Sequence, residues 1–343
     1  MGGSERACIR MANALVPYYD VTVATIWGNA GLEEELDNHI QVIHKFPNYI
    51  RGVANISGRI PAKYIYRFFI REKYDIEVAV GDGLESYIIS GSKNPNKYSW
   101  IHMNLGTYGT KTSDKAIKKY LQYKNIICVS QKNKECFIKE MGFEDKIKVC
   151  YTPVDTHKIQ LSSEIDVHLP EDSIVAVGRL EEVKGFDRLI RAVKKLKEFK
   201  GKVFIYGDGT QKQALEKQIS ELELEDKIVL RGMVDNPYPY IAKAKALVCS
   251  SREESFGFSI VEAMLLRTPV LATRCGGAEE IITRPEEGIL CENSEVGIEE
   301  GLQRILEGKH SIDIEEAYNR ASYFQVENCV RKFREIIEGK SDL

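Results

Sequence analysis

The stretch Ile174-Val175-Ala176-Val177-Gly178-Arg179-Leu180-Glu181-Glu182-Val183-Lys184-Gly185-Phe186-Asp187-Arg188-Leu189-Ile190 decides the class of fold. A short β-branched run ends at a glycine, a guanidinium and an ammonium follow five residues apart, and a second glycine leads into apolar positions at helical spacing. This is the strand, turn and helix of an open α/β sheet. Such a turn suits a diphosphate: glycine lets the backbone approach, Arg179 offers a two-pronged donor and Lys184 a point charge. Taken alone, it could equally be a surface turn with two solvated cations.

Outward from this stretch the same alternation recurs. Strands are expected near Val21–Trp27, Ile40–Phe46, Ile76–Gly81, Tyr98–His102, Ile126–Ser130 and Ile147–Tyr151, then near Ser173–Val177, Lys202–Tyr206, Ile228–Arg231, Ala246–Cys249, Val270–Ala272 and Gly288–Leu290. Amphipathic segments between them read as crossover helices, so the fold class is α/β with two doubly wound parallel sheets. A chain of 343 residues has room for two such cores. The join falls at Thr152-Pro153-Val154-Asp155, followed by a polar connector to Pro170, and a hinge is expected there. The domains are then 1–155, 156–323 and a C-terminal helix in 324–343, where Val326, Val330, Phe333 and Ile337 stand at helical spacing.

Residues 2–15 look like the glycine turn and first helix that follow an opening strand, yet Met1 stands where that strand should be. The first N-terminal strand is therefore expected to be missing, through truncation, a mis-set start or a natural deletion. Its loss would take a ladder partner from two neighbours, because the opening strand of such a sheet is central.

Formal net charge is −3, with both signs spread along the chain, which excludes a nucleic-acid partner as the expected one. None of the eight cysteines forms a C-x-x-C pair, and several lie in apolar runs such as Ile126-Ile127-Cys128-Val129. They read as reduced, buried thiols of a cytoplasmic protein. No apolar stretch approaches the roughly 20 residues of a membrane span.

A second stretch bears on chemistry: Ser250-Ser251-Arg252-Glu253-Glu254-Ser255-Phe256-Gly257-Phe258-Ser259-Ile260-Val261-Glu262-Ala263-Met264. If a helix opens near Gly257, its free amides face the diphosphate, Glu254 sits in the preceding loop and Glu262 lies about one turn inside. Carboxylates suit sugar hydroxyls, which donate to them in fixed directions. A glutamate that merely decorates a helix face is the plain alternative, and the apolar neighbours of Glu262 count against it.

Gly178-Arg179-Leu180 with Lys184-Gly185, Gly207-Asp208-Gly209, the Glu254 to Glu262 spacing and Gly276-Gly277-Ala278-Glu279-Glu280-Ile281-Ile282 together resemble the family 4 (group 1) retaining glycosyltransferases of GT-B fold. The resemblance covers the C-terminal half almost completely and the N-terminal half in its order of elements. It implies two Rossmann-like domains facing across a cleft, an N-terminal one for the acceptor and a C-terminal one for a nucleotide sugar. The C-terminal helix would return to the first domain, and closure of the cleft would exclude water.

By the same resemblance, Gly178, Arg179 and Lys184 hold the donor diphosphate, Glu262 the ribose, and Glu254 the transferred sugar. Phe256 and Gly257 lie near the phosphates, and Gly207 with Gly232-Met233-Val234 flanks the base. His102, ending Trp100-Ile101-His102, points towards the reacting centre, and Gly2-Gly3 is the loop near phosphates or acceptor. A histidine after a strand is otherwise most often structural; its place at a strand's carboxyl end favours a site role. The resemblance implies retention of anomeric configuration, with no protein general base. UDP is the expected nucleotide, with GDP the alternative, and a glycan or lipid-linked saccharide the acceptor. With no Asp-x-Asp and no clustered histidines, no metal or cofactor is expected; Arg179, Lys184 and helix amides would neutralise the leaving group.

Arg59, Lys63, Arg67 and Arg71 recur every four residues beside Tyr64 and Phe68, so a helix there would carry one cationic ridge. That ridge either rests on anionic lipid at the inner face of the membrane or is a solvated helix face. The main rival function is a non-catalytic GT-B-like subunit that binds a glycan or steadies a transferase. Epimerisation or phosphorolysis on the same fold is the second rival.

Overall fold

The computed structural model describes residues 3–28, 33–51, 60–102, 113–196 and 199–339. Their backbone divides into two compact units, Met1–Pro153 with Val326–Leu343, and Val154–Gln325. The strands are β1 Thr22–Trp27, β2 Gln41–Phe46, β3 Glu77–Val80, β4 Lys97–Ile101, β5 Asn125–Cys128, β6 Ile147–Val149, β7 Ile174–Val177, β8 Val203–Tyr206, β9 Ile228–Gly232, β10 Ala246–Cys249, β11 Val270–Thr273 and β12 Ile289–Cys291. All of their pairings are parallel.

The second unit is one six-stranded sheet in the order β12-β11-β10-β7-β8-β9. The chain winds outward from β7 through β8 to β9, then returns to the other side of β7 at β10. The boundary between β7 and β10 is thus a topological switch point, where the turns leaving the two strands splay apart and open a crevice at their carboxyl ends. Both faces of the sheet are covered. On one face Ile174, Ala176, Val203 and Ile205 share a core with Leu189, Ile190 and Val193 of the helix Phe186–Lys195 and with Ile298, Leu302 and Ile305 of the helix Glu295–Leu306. The alternate positions Val175, Phe204 and Leu247, on the other face, are buried too. Burial on two faces is why these strands read as continuous apolar runs and not as alternating ones.

The first unit carries two sheets among the described residues, β1-β2 and β3-β4-β5-β6, and β1 and β3 each pair on one side only. The helix Val326–Glu338 belongs to this unit. Its Phe333 ring lies 5.3 Å from that of Trp100 on β4, and its Ile337 carbonyl accepts from Tyr98 Oη at 2.8 Å.

The cationic ridge does not form as one helix. Lys63 and Arg67 lie on the helix Ala62–Phe69, but Ile70 already has extended backbone, so Arg71 falls beyond the end. Arg59 is outside the described residues. The period of four reads a helix correctly at its centre, but side-chain spacing carries no information about where the backbone leaves the helix. No helix among the described residues is long and apolar enough to cross a membrane.

Candidate active site at the switch point of the second unit

Gly178 ends β7, and its turn is clamped onto the turn after β8. Gly178 N donates to the Tyr206 carbonyl at 3.0 Å and Leu180 N to Asp208 at 2.9 Å. Gly207, at φ +148°, lies so near that a Cβ there would be 1.8 Å from the Gly178 carbonyl oxygen. Only glycine allows this approach, and it also gives access to a left-handed backbone. Gly207 N donates to the Gly232 carbonyl at 2.8 Å, while Met233 beyond it is exposed and Val234 half-buried.

After Gly178 the chain makes a single tight turn, Glu182–Lys184, closed by Gly185 at φ +64°. This turn packs on the loop that follows β10. Ser250 Oγ donates to the Lys184 carbonyl at 2.9 Å, Arg252 N to Val183 at 2.7 Å, and a guanidinium nitrogen of Arg188 to the Ser250 carbonyl at 2.8 Å. Lys184 runs back past Gly178 and its Nζ meets Glu254 Oε2 at 2.6 Å, with the two side chains 22% and 14% exposed. Burial alone would lower the ammonium's pKa; the charge of Glu254 outweighs it and holds Lys184 above its usual range. The two stretches singled out in the sequence therefore converge on one place. Arg179 is exposed on the same turn, and its guanidinium takes no hydrogen-bond or ion-pair partner among the described residues.

Beyond Glu254 the loop ends at Phe256, buried against Phe258 and Phe324, and at Gly257, φ +107°, which opens the helix Phe258–Leu265 without a side-chain cap. The first-turn amides of such a helix start have no intrahelical acceptor and carry partial positive charge. Gly277 N donates to the Glu254 carbonyl at 2.8 Å, and a Cβ on Gly277 would be 2.0 Å from the Phe256 carbonyl oxygen. Glu262, on the second turn of the helix, is 6% exposed and accepts from Tyr238 Oη at 3.2 Å.

The arrangement can present two cations, a row of helix amides and two carboxylates, Glu262 buried and Glu254 partly so, to a ligand that carries phosphate at one end and hydroxyls at the other. Among the described residues no group of three His, Cys, Asp or Glu is placed to hold a metal ion. Two contributors carry no mark in the sequence: Ser251, which donates to Glu254 at 3.0 Å, and Tyr238, which lies 24 residues from the glutamate it supports.

In the first unit, His102 follows β4 and its ring lies 4.5 Å from that of Trp100. Burial pushes the imidazole down to about 3, so the ring is neutral near pH 7. Its Nε2 is enclosed and has no hydrogen-bond partner among the described residues. Gly3 is the first residue of the helix Gly3–Leu15, and Gly2 lies outside the described residues.

The family described as glycosyl transferases group 1 matches residues 161–323, which span the whole of this site. Residues 161–323 thus match a group 1 glycosyltransferase domain. Among curated relatives, the N-acetylgalactosamine-N,N'-diacetylbacillosaminyl-diphospho-undecaprenol 4-alpha-N-acetylgalactosaminyltransferase of Campylobacter jejuni is 33% identical over 185 residues, 53% of this chain and 50% of that protein. The match thus spans about half of that relative's length. The lipopolysaccharide core biosynthesis glycosyltransferase LpsE of Rhizobium meliloti is 25% identical over 89% of this chain and 85% of its own. Among solved structures, HepE of Anabaena, in complex with UDP and glucose, superposes with a TM-score of 0.80 at 22% identity, covering 98% of this chain and 96% of that one. Sucrose-phosphate synthase of Thermosynechococcus elongatus superposes equally well, with a TM-score of 0.80 at 18% identity, covering 98% and 93%. At these identities the likeness establishes the fold, that of the GT-B glycosyltransferases. The group 1 domain occupies the second unit.

Proposed function

We propose that this chain is a retaining, metal-independent hexosyltransferase that moves a sugar from a UDP-sugar to a glycan or lipid-linked saccharide in polysaccharide or glycoconjugate synthesis. One observation carries the reading: Lys184 and Glu254 meet at 2.6 Å at the switch point, beside the uncapped helix that opens at Gly257. The second unit binds the donor, with Arg179 and Lys184 on the diphosphate, Glu254 on the sugar and Glu262 on the ribose. The first unit binds the acceptor, with His102 near the reacting carbon.

In this reaction the bond from the anomeric carbon to the diphosphate oxygen breaks and its electron pair leaves with the nucleoside diphosphate. The acceptor hydroxyl bonds to the same face of the carbon and passes its proton to a phosphate oxygen. The residues here serve by spreading the charge that builds on the leaving group, so no protein base is needed. The names of the relatives support a lipid-linked or lipopolysaccharide-type acceptor, and the protein works at the cytoplasmic face of a membrane.

The test is turnover with a panel of nucleotide sugars. Lys184→Ala and Arg179→Ala are each expected to lower kcat about 100-fold or more, by the loss of a transition-state donor, and added chelator to change nothing. Near-normal turnover in either variant refutes the diphosphate assignment. Protection against thermal unfolding by UDP with no transfer to any acceptor would instead favour a non-catalytic subunit.

A further inference from the structure

Glu254 is held by two donors from different parts of the fold. Lys184 Nζ, from the turn after β7, and Ser251 Oγ, from the loop after β10, both reach the same oxygen, Oε2, at 2.6 and 3.0 Å. Ser251 is itself fixed: it is buried, and its carbonyl accepts from Thr273 Oγ1 at 2.5 Å. Cys249 Sγ donates to the Ser251 hydroxyl at 3.5 Å, and burial raises the pKa of that thiol, which keeps its proton. The hydrogens therefore run one way, from the Cys249 thiol to the Ser251 hydroxyl to the Glu254 carboxylate. Glu254 Oε1 takes no partner among the described residues.

A carboxylate anchored at one oxygen keeps the other aimed in a fixed direction. The two anchors of Oε2 differ in kind. Lys184 is also one of the two cations assigned to the diphosphate, and an ammonium drawn towards phosphate weakens its hold on the carboxylate. The hydroxyl has no such competitor.

We propose that Ser251 is a positioning residue for Glu254: it holds Oε2 while Lys184 is shared with the donor diphosphate, and thereby leaves Oε1 to accept a hydroxyl of the donor sugar. This assignment rests on the nucleotide-sugar reading of the site.

Calorimetry with UDP, UDP-glucose and UDP-N-acetylglucosamine tests it. The quantity of interest is how much more tightly the protein binds the favoured UDP-sugar than UDP. In Ser251→Ala that advantage is expected to fall about tenfold, the worth of one hydrogen bond to a charged group, while UDP itself binds as before. Ser251→Thr, which keeps the hydroxyl, is expected to restore it, and Lys184→Ala to weaken UDP itself. If the alanine variant unfolds, Ser251→Cys keeps the volume with a weaker donor and gives the same contrast. An equal loss for UDP and UDP-sugar in a folded variant, or no change at all, overturns the assignment. A wild type that binds UDP with no gain from any sugar overturns it too but leaves the diphosphate site standing, whereas a wild type that binds no UDP removes both.

Discussion

The strand pair β1-β2 and the six-stranded sheet of the second unit are built from the same parallel pairing, yet every residue of β8, β10 and β11 is buried whereas β1 and β2 contain no buried residue. Parallel strands are stable when both faces are covered, and a pair with one-sided pairing and half-open faces has little apolar burial to offset its backbone entropy. The contrast bears on where the candidate site of the second unit sits. Side chains held within tenths of an ångström need a scaffold that does not breathe, and the switch point between β7 and β10 lies in the middle of the covered sheet.

Native-state hydrogen exchange would measure the contrast directly. Amides of β8 and β10 are expected to exchange about 1000-fold more slowly than those of β1, since core strands open only near the global limit and poorly buried ones open locally. Equal protection in the two regions would break the comparison.

A smaller effect separates close approach from backbone strain within the covered sheet. Gly207 and Gly232 both have positive φ, but a Cβ at Gly207 would strike the Gly178 carbonyl while one at Gly232 meets nothing within 4 Å. Gly207→Ala is expected to destabilise the second unit by about 3 kcal/mol or more and to abolish protection by UDP, with β1 exchange unchanged. Gly232→Ala is expected to cost about 1 kcal/mol, the strain of the left-handed backbone alone. Urea denaturation of the two variants checks the difference, and similar midpoints would show that the turns after β7 and β8 are not clamped.

The same physics decided what could be read before any coordinates. All twelve strands lie within two residues, at each end, of where the sequence placed them. In the second unit burial on two faces writes itself into the sequence as runs of Val, Ile, Leu and Ala, whereas β1 and β2 were legible from β-branched and aromatic residues without full burial. Lys184 and Glu254 were legible as members of one site through the family resemblance of two stretches 70 residues apart, but the ion pair between them was not. Ser251 lay in plain view three residues before Glu254 but had no role, since a serine's partner depends on a rotamer and not on a pattern. Tyr238 was invisible for a second reason: its contact with Glu262 joins two helices from different crossovers. The end of the helix Ala62–Phe69 was missed because charge periodicity continues to Arg71 while the backbone does not.

That short helix turns the comparison from stability to surface. On the first unit, Tyr64 and Phe68 are 53% and 50% exposed on the helix and Ile60 is 40% exposed just before it. Lys63 and Arg67 are exposed on the same helix, and Lys45 Nζ sits 3.8 Å over the Phe68 ring. Exposed aromatics ringed by cations match the headgroup region of an anionic bilayer, where rings insert and ammonium or guanidinium groups meet phosphate. The expected outcome is co-sedimentation with phosphatidylglycerol vesicles at low salt that fades at high salt. Arg67→Ala should weaken it about fivefold, the worth of one cation near such a surface, and Phe68→Ser by a similar factor through lost insertion. Neither change should alter UDP binding, because every residue assigned to UDP lies in the second unit. No binding to anionic vesicles, or binding indifferent to both substitutions, would mark the helix as a solvated face and leave the acceptor to arrive without help from this surface.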